Sequence, residues 1–110
     1  MNVVFSHHFK KQFSTLNDQA RQAILDFIKH ARQHGLKGLQ GRNKSSIPPT
    51  VRTKRQRDDF AFAQKYCLWH YHIGVPYYVG NDGDKTSEMI LHYQRLDDEI
   101  RLLAIGSPTF

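Results

Sequence analysis

Two imidazoles, His70 and His72, stand two residues apart in Leu68-Trp69-His70-Tyr71-His72-Ile73, and a third, His92, follows in Met89-Ile90-Leu91-His92-Tyr93. In an extended strand alternate side chains share a face, so His70 and His72 point one way while Trp69, Tyr71 and Ile73 point the other. Imidazole, with an ordinary pKa of about 6.5, exchanges protons near neutral pH. Such groups beside fixed cations can cleave RNA without a metal. A base takes the proton of the 2′-hydroxyl, an acid protonates the leaving oxygen, and cations stabilise the crowded phosphate. His70 and His72 are the leading acid–base pair, with His92 in reserve. Lys54, Arg55 and Arg95 are candidates to neutralise phosphate, Arg42, Lys44 and Arg52 to hold RNA, and Tyr93 to contact it. Two other readings of the histidines stay open: packing residues of a sheet, or the start of a metal site. No Asp or Glu stands beside the pair to complete such a site.

Other reactive side chains have plainer readings. Trp69 is assigned to a core, as aromatics at strand spacing generally are, although Tyr71, Tyr77, Tyr78 and Tyr93 have rings able to stack on bases. Glu88 has the chemistry of a general base, but Thr86-Ser87-Glu88 reads more simply as a turn into a strand. His30 and His34, four apart, fit a solvated helix end better than a metal. Cys67 is the single cysteine, which excludes an intrachain disulfide and a cysteine zinc cluster. It is expected to pack in a strand as a small apolar residue.

The formal net charge of +6 is unevenly spread. Residues 1–57 carry twelve Lys or Arg against Asp18 and Asp26, while residues 58–110 carry four bases against eight acids. Lys37, Arg42, Lys44, Arg52, Lys54, Arg55 and Arg57 follow one another with no intervening acid, a density that attracts a polyanion. The alternative for such a run is a solvated, solubilising segment. Gly41-Arg42-Asn43-Lys44-Ser45-Ser46 lacks the Walker spacing, which rules out a nucleotide triphosphatase on motif grounds.

The elements that must position these groups are legible in part. At 110 residues, with 39% hydrophobic and 24% charged residues, the chain fits one ordinary domain with one core. Residues 2–5 suit a short strand. Ser6 can cap a helix carrying Phe9, Phe13 and Leu16. Asn17 or Asp18 opens a longer helix with the stripe Ala20, Ala23, Ile24, Phe27, Ile28 and Ala31, stopped at Gly35. The two helices are expected to form a hairpin. Residues 37–57 show no sustained period, and Gly38, Gly41, Ser45, Ser46, Pro48 and Pro49 assign them to a basic loop. Residues 60–73, 87–93 and 100–105 are expected as strands, separated by turns at 74–84 and at the acidic tip 96–98. Helices first and sheet afterwards make the fold class α+β: a short strand and helical hairpin packed on a mostly antiparallel C-terminal sheet. The start MNVVFSHHFKKQF has no secretory core, and no run of about 18 apolar residues occurs. Cytoplasmic residence without a membrane partner is therefore expected.

This order of parts resembles the RelE/ParE superfamily of bacterial toxins. The resemblance rests on the helical hairpin opening with Ser6-His7-His8-Phe9-Lys10-Lys11-Gln12-Phe13, the basic loop, and a sheet ending in Ile100-Arg101-Leu102-Leu103-Ala104-Ile105-Gly106. The histidine run and Lys85-Thr86-Ser87-Glu88-Met89-Ile90-Leu91-His92-Tyr93 are similar to the YafO-type, HigB-like branch. The resemblance implies a RelE-like microbial ribonuclease fold and a cofactor-free endoribonuclease that cuts messenger RNA on the ribosome. It implies a cognate antitoxin as partner, and leaves open a homodimer or a toxin–antitoxin hetero-oligomer. Several members use a His or Tyr near the C-terminus, whereas this chain ends Gly106-Ser107-Pro108-Thr109-Phe110. The proton work would then fall to the internal histidines. Gyrase-poisoning members of the superfamily keep a second possibility open, a non-enzymatic ParE-like toxin or nucleic-acid-binding module. Either reading requires the basic segment to fold over the imidazole face of the sheet.

Overall fold

The helical hairpin is written by three local signals. In the computed structural model, which describes residues 1–47 and 50–106, Ser6 Oγ accepts from the Phe9 amide and opens α1 (His7–Thr15). Asn17 Oδ1 accepts from the Ala20 amide at 2.9 Å and opens α2 (Asp18–His34). Gly35 ends α2 at φ 66°, a left-handed conformation that glycine adopts without penalty, and its N–H reaches the Ala31 carbonyl at 3.0 Å. Of the expected stripe, Ala20, Ile24, Phe27, Ile28 and Ala31 are buried and Ala23 is half-buried.

Among the described residues five strands form one sheet: β1 (Asn2–Phe5), β2 (Asn43–Ser45), β3 (Leu68–His72), β4 (Ile90–Arg95) and β5 (Glu99–Gly106). Their spatial order is β1-β5-β4-β3-β2, parallel between β1 and β5 and antiparallel elsewhere. The chain is thus α+β, with helices α1 and α2 on one sheet face. There Phe27 stacks on Tyr71 with ring centroids 4.9 Å apart, and Tyr93, Leu91, Ile100 and Leu102 are sealed beneath the helices. Burying a side chain of this size contributes on the order of 1.5–3 kcal/mol.

Beyond Leu102, where pairing with β1 ends, β5 is met by side chains of the hairpin instead. The Gln12 amide donates to the Ile105 carbonyl at 2.7 Å and accepts from its N–H at 2.8 Å. One carboxamide thus stands in for a neighbouring strand.

Three expectations need correction. The segment 37–57 is not loop throughout: it contributes β2 and the start of α3 (Lys54–Lys65). The expected strand at 60–73 is helix until Lys65 and strand only from Leu68. Thr53 and Gln56 explain this, because they form a capping box in which each side chain bonds the other's backbone N–H. Cys67 is neither in a strand nor buried; it is exposed at φ 53°, the left-handed residue that turns α3 into β3. Pro48 and Pro49, assigned to loop, and the chain end at 107–110 lie outside the described residues. No helix among the described residues is long and apolar enough to cross a membrane.

Candidate functional site

The sheet face turned away from α1 and α2 forms the floor of an open groove of about 1050 Å³, with α3 as one wall. Period-two alternation puts Leu68, His70 and His72 of β3 on this floor, beside Ile90, His92 and Gln94 of β4. In β5 a register shift opposite His92/Tyr93 skips Leu103, so Leu103 and Ala104 both line the groove. Such a bulge locally re-aims side chains.

His70 and His92 face each other directly in the β3–β4 register. Side chains so placed have Cβ atoms about 4.5–5.5 Å apart. Both rings are half-buried. Ser46 Oγ lies 3.1 Å from His70 Nδ1 and orients that ring. Burial first, and then the charges of His72, Arg42 and Lys44, hold the His70 imidazole below its ordinary pKa. Burial and then His70 do the same to His92. Burial thus favours the neutral form of both rings, and it also covers His92 Nε2. An anionic phosphate placed between them would favour the protonated form and reverse the shift.

His72 has a different role. It is 7% exposed, and its Nδ1 stands 2.9 Å from both the amide nitrogen and the carbonyl oxygen of Ser87. Whichever tautomer it adopts, that nitrogen is engaged. The leading pair expected from sequence, His70 and His72, has ring centroids 6.3 Å apart; both line the groove, His70 half-buried and His72 nearly covered.

The cations divide likewise. Arg42 lines the groove and is gripped by Asp84 through two bonds, Nε to Oδ1 at 2.8 Å and Nη2 to Oδ2 at 3.1 Å. This pairing raises the Arg42 pKa and lowers that of Asp84. Lys44 sits opposite His70 in β2, and Arg55 projects from α3 into the groove. The basic segment and the imidazole face thus meet, as either reading of the sequence required. Lys54 and Arg52 lie at the exposed N-terminal end of α3, outside the groove lining. Gly41, read against a phosphate loop, is needed for packing: a Cβ there would stand 2.1 Å from the His72 carbonyl oxygen.

Two candidates are on the wrong side. Tyr93 has no exposed surface, packs against Phe27 with the rings tilted and donates its hydroxyl to Asn43 Oδ1, so it meets no base. Arg95 lies over the Trp69 ring at 4.6 Å from its centroid and does not line the groove. Tyr93 and Arg95 alternate with His92 along β4, so a strand that turns His92 to the groove turns both away.

Sequence reasoning missed Arg101, Ser46, Asp84, Phe62 and Tyr66. Arg101 was legible from its alternation with the apolar Ile100 and Leu102. The α3 residues were legible from Thr53-x-x-Gln56. Asp84 and Ser46 reach the site through loops that carry no local signal. Among the described residues no group of three or more His, Cys, Asp or Glu could hold a metal ion, so the metal reading of His70 and His72 gains no support.

No protein-family model matches this chain, and no curated protein matches it. A solved structure, that of the conserved hypothetical protein HP0894 from Helicobacter pylori, is similar over 99% of this chain and 96% of its own, at 15% identity and a TM-score of 0.41.

Proposed function

We propose that the groove holds single-stranded RNA and cleaves it by attack of a 2′-hydroxyl on the adjacent phosphate. The bond from the 2′-oxygen to phosphorus forms as the bond from phosphorus to the 5′-oxygen breaks, leaving a 2′,3′-cyclic phosphate and a 5′-hydroxyl. One of His70 and His92 takes the 2′-hydroxyl proton, and the other, protonated once phosphate is bound, donates to the leaving oxygen. Arg42, Lys44 and Arg55 neutralise the phosphate and its neighbours. The observation that carries this reading is the direct pairing of His70 with His92 on an open face that also receives Arg42 and Lys44.

Together with the sequence resemblance, this supports a ribosome-dependent mRNA interferase, the toxin of a toxin–antitoxin pair, working in the cytoplasm and silenced by an acidic antitoxin. The test is to induce the chain in translating bacteria and map transcript 5′ ends. New 5′-hydroxyl ends and growth arrest are expected, and both should disappear in His70→Ala/His92→Ala. Full toxicity of that variant would end the catalytic assignment.

A non-enzymatic binding module is the second reading, favoured by the apolar floor residues Leu68, Ile90, Leu103 and Ala104. It predicts growth arrest without transcript cuts.

A further inference from the structure

Helix α3 is unusual in what it leaves uncovered. Ala63 is its one buried residue among those described, while Phe62 is 59% and Tyr66 39% exposed. Arg55, Asp59, Phe62, Ala63 and Tyr66 follow the spacing of a single helical face, and all five line the groove. The face that would ordinarily dock onto a core instead overlooks the imidazole floor. Phe62 and Tyr66 lie one turn apart with ring centroids 4.8 Å apart and planes at 56°. Lys65 Nζ stands 5.3 Å from the Tyr66 ring centroid.

We infer that Phe62 and Tyr66 form a stacking subsite for an unpaired base of single-stranded RNA, with the attached phosphate lying along Arg55 toward His70. This rests on the RNA reading proposed above and specifies how that site grips its substrate. Two properties favour a nucleotide over an apolar peptide. The rings share the groove with the guanidinium groups of Arg42, Arg55 and Arg101 and with His70 and His92, a set that complements phosphate. Among the described residues the lining carries one acid, Asp59 one turn from Arg55; Asp84, which holds Arg42, lies outside it. A ring face accepts any base, so the subsite supplies affinity with little sequence preference.

The test titrates the full chain with a short single-stranded oligoribonucleotide, fully 2′-O-methylated to block cleavage and carrying one 2-aminopurine, at two salt concentrations. Wild type should bind and quench the fluorescent base. Phe62→Leu and Tyr66→Leu keep apolar bulk on an exposed surface but remove the ring. Each should weaken binding about 5- to 150-fold and relieve the quench, with the salt slope unchanged because the phosphate contacts persist. Phe62→Trp should restore both. Leu variants that bind and quench as wild type does would overturn the subsite while leaving RNA binding intact, and would assign the exposed rings to a protein partner. Failure of the wild type to bind the oligonucleotide would overturn the subsite and the RNA reading together. Normal stacking with cleavage unaffected in His70→Ala/His92→Ala would sink the catalytic reading alone.

Discussion

At the scale of single residues the two imidazoles that face each other across β3 and β4 have a titration open to measurement. His70 and His92 are both held below the ordinary histidine pKa, chiefly by burial. A base must be neutral to act, so its activity is lost as pH falls through its own pKa in the free enzyme. The acid limb of kcat/KM should therefore have its midpoint below about 6.5; a midpoint at or above that value would exclude these rings as the base. Cys67 offers a structural check, since it holds a left-handed backbone at φ 53°. A β-branched side chain tolerates that conformation badly, at roughly 1–2 kcal/mol. Cys67→Val should lose about that much in urea unfolding, whereas Cys67→Gly should match or exceed the wild type. Much of the site was legible at this scale. Alternation gave the imidazole face, and the same alternation excluded Tyr93 and Arg95 once His92 had been chosen, because residues an odd number apart on β4 point to opposite faces, whereas the bulge lets neighbours in β5 share one. What alternation could not give was the difference between His70 and His72, which arises from Ser87 on a distant loop.

At the scale of elements, local signals were readable and long-range compensation was not. Ser6, Asn17 and Gly35 wrote the hairpin in capping chemistry confined to a few residues. Residues 60–65 misled because aromatic richness suits a strand as well as an exposed helix face, and period fails as a guide when only Ala63 is buried. With so little packing, α3 depends on its capping box. Removing the cap hydroxyl with Thr53→Ala should cost about 0.5–2 kcal/mol locally. In amide hydrogen exchange, α3 should lose protection while α2, β4 and β5 keep theirs; uniform loss would show that α3 unfolds only with the whole domain. The same looseness suits a wall that must admit and release a polymer.

For the molecule as a whole, the sequence's charge polarity becomes a spatial arrangement. The acid-rich half supplies Asp84 to Arg42 and Asp82 to Lys85, while Arg55 and Arg101 line the groove beside the imidazoles. The cost of packing neutral imidazoles there is a sensitivity to acid. Unfolded histidine titrates near pH 6.5. The folded pKa values of His70 and His92 lie lower, so between the two the unfolded chain binds more protons. Stability is complete above about 6.5 and is lost as pH falls through the folded values. Urea midpoints should drop between pH 7.5 and 5.5, and drop less in His70→Gln/His92→Gln; equal drops would place the sensitivity elsewhere.

The carboxamide of Gln12 has a consequence for the molecule's company. A sheet margin with free amides and carbonyls invites an extended peptide to zip onto it, whether from an unfolded sibling or from a partner that binds by lending a strand. By occupying both polar groups of Ile105, a side chain in the first helix closes that invitation at this stretch of β5. A visitor seeking β5 here would first have to evict a glutamine.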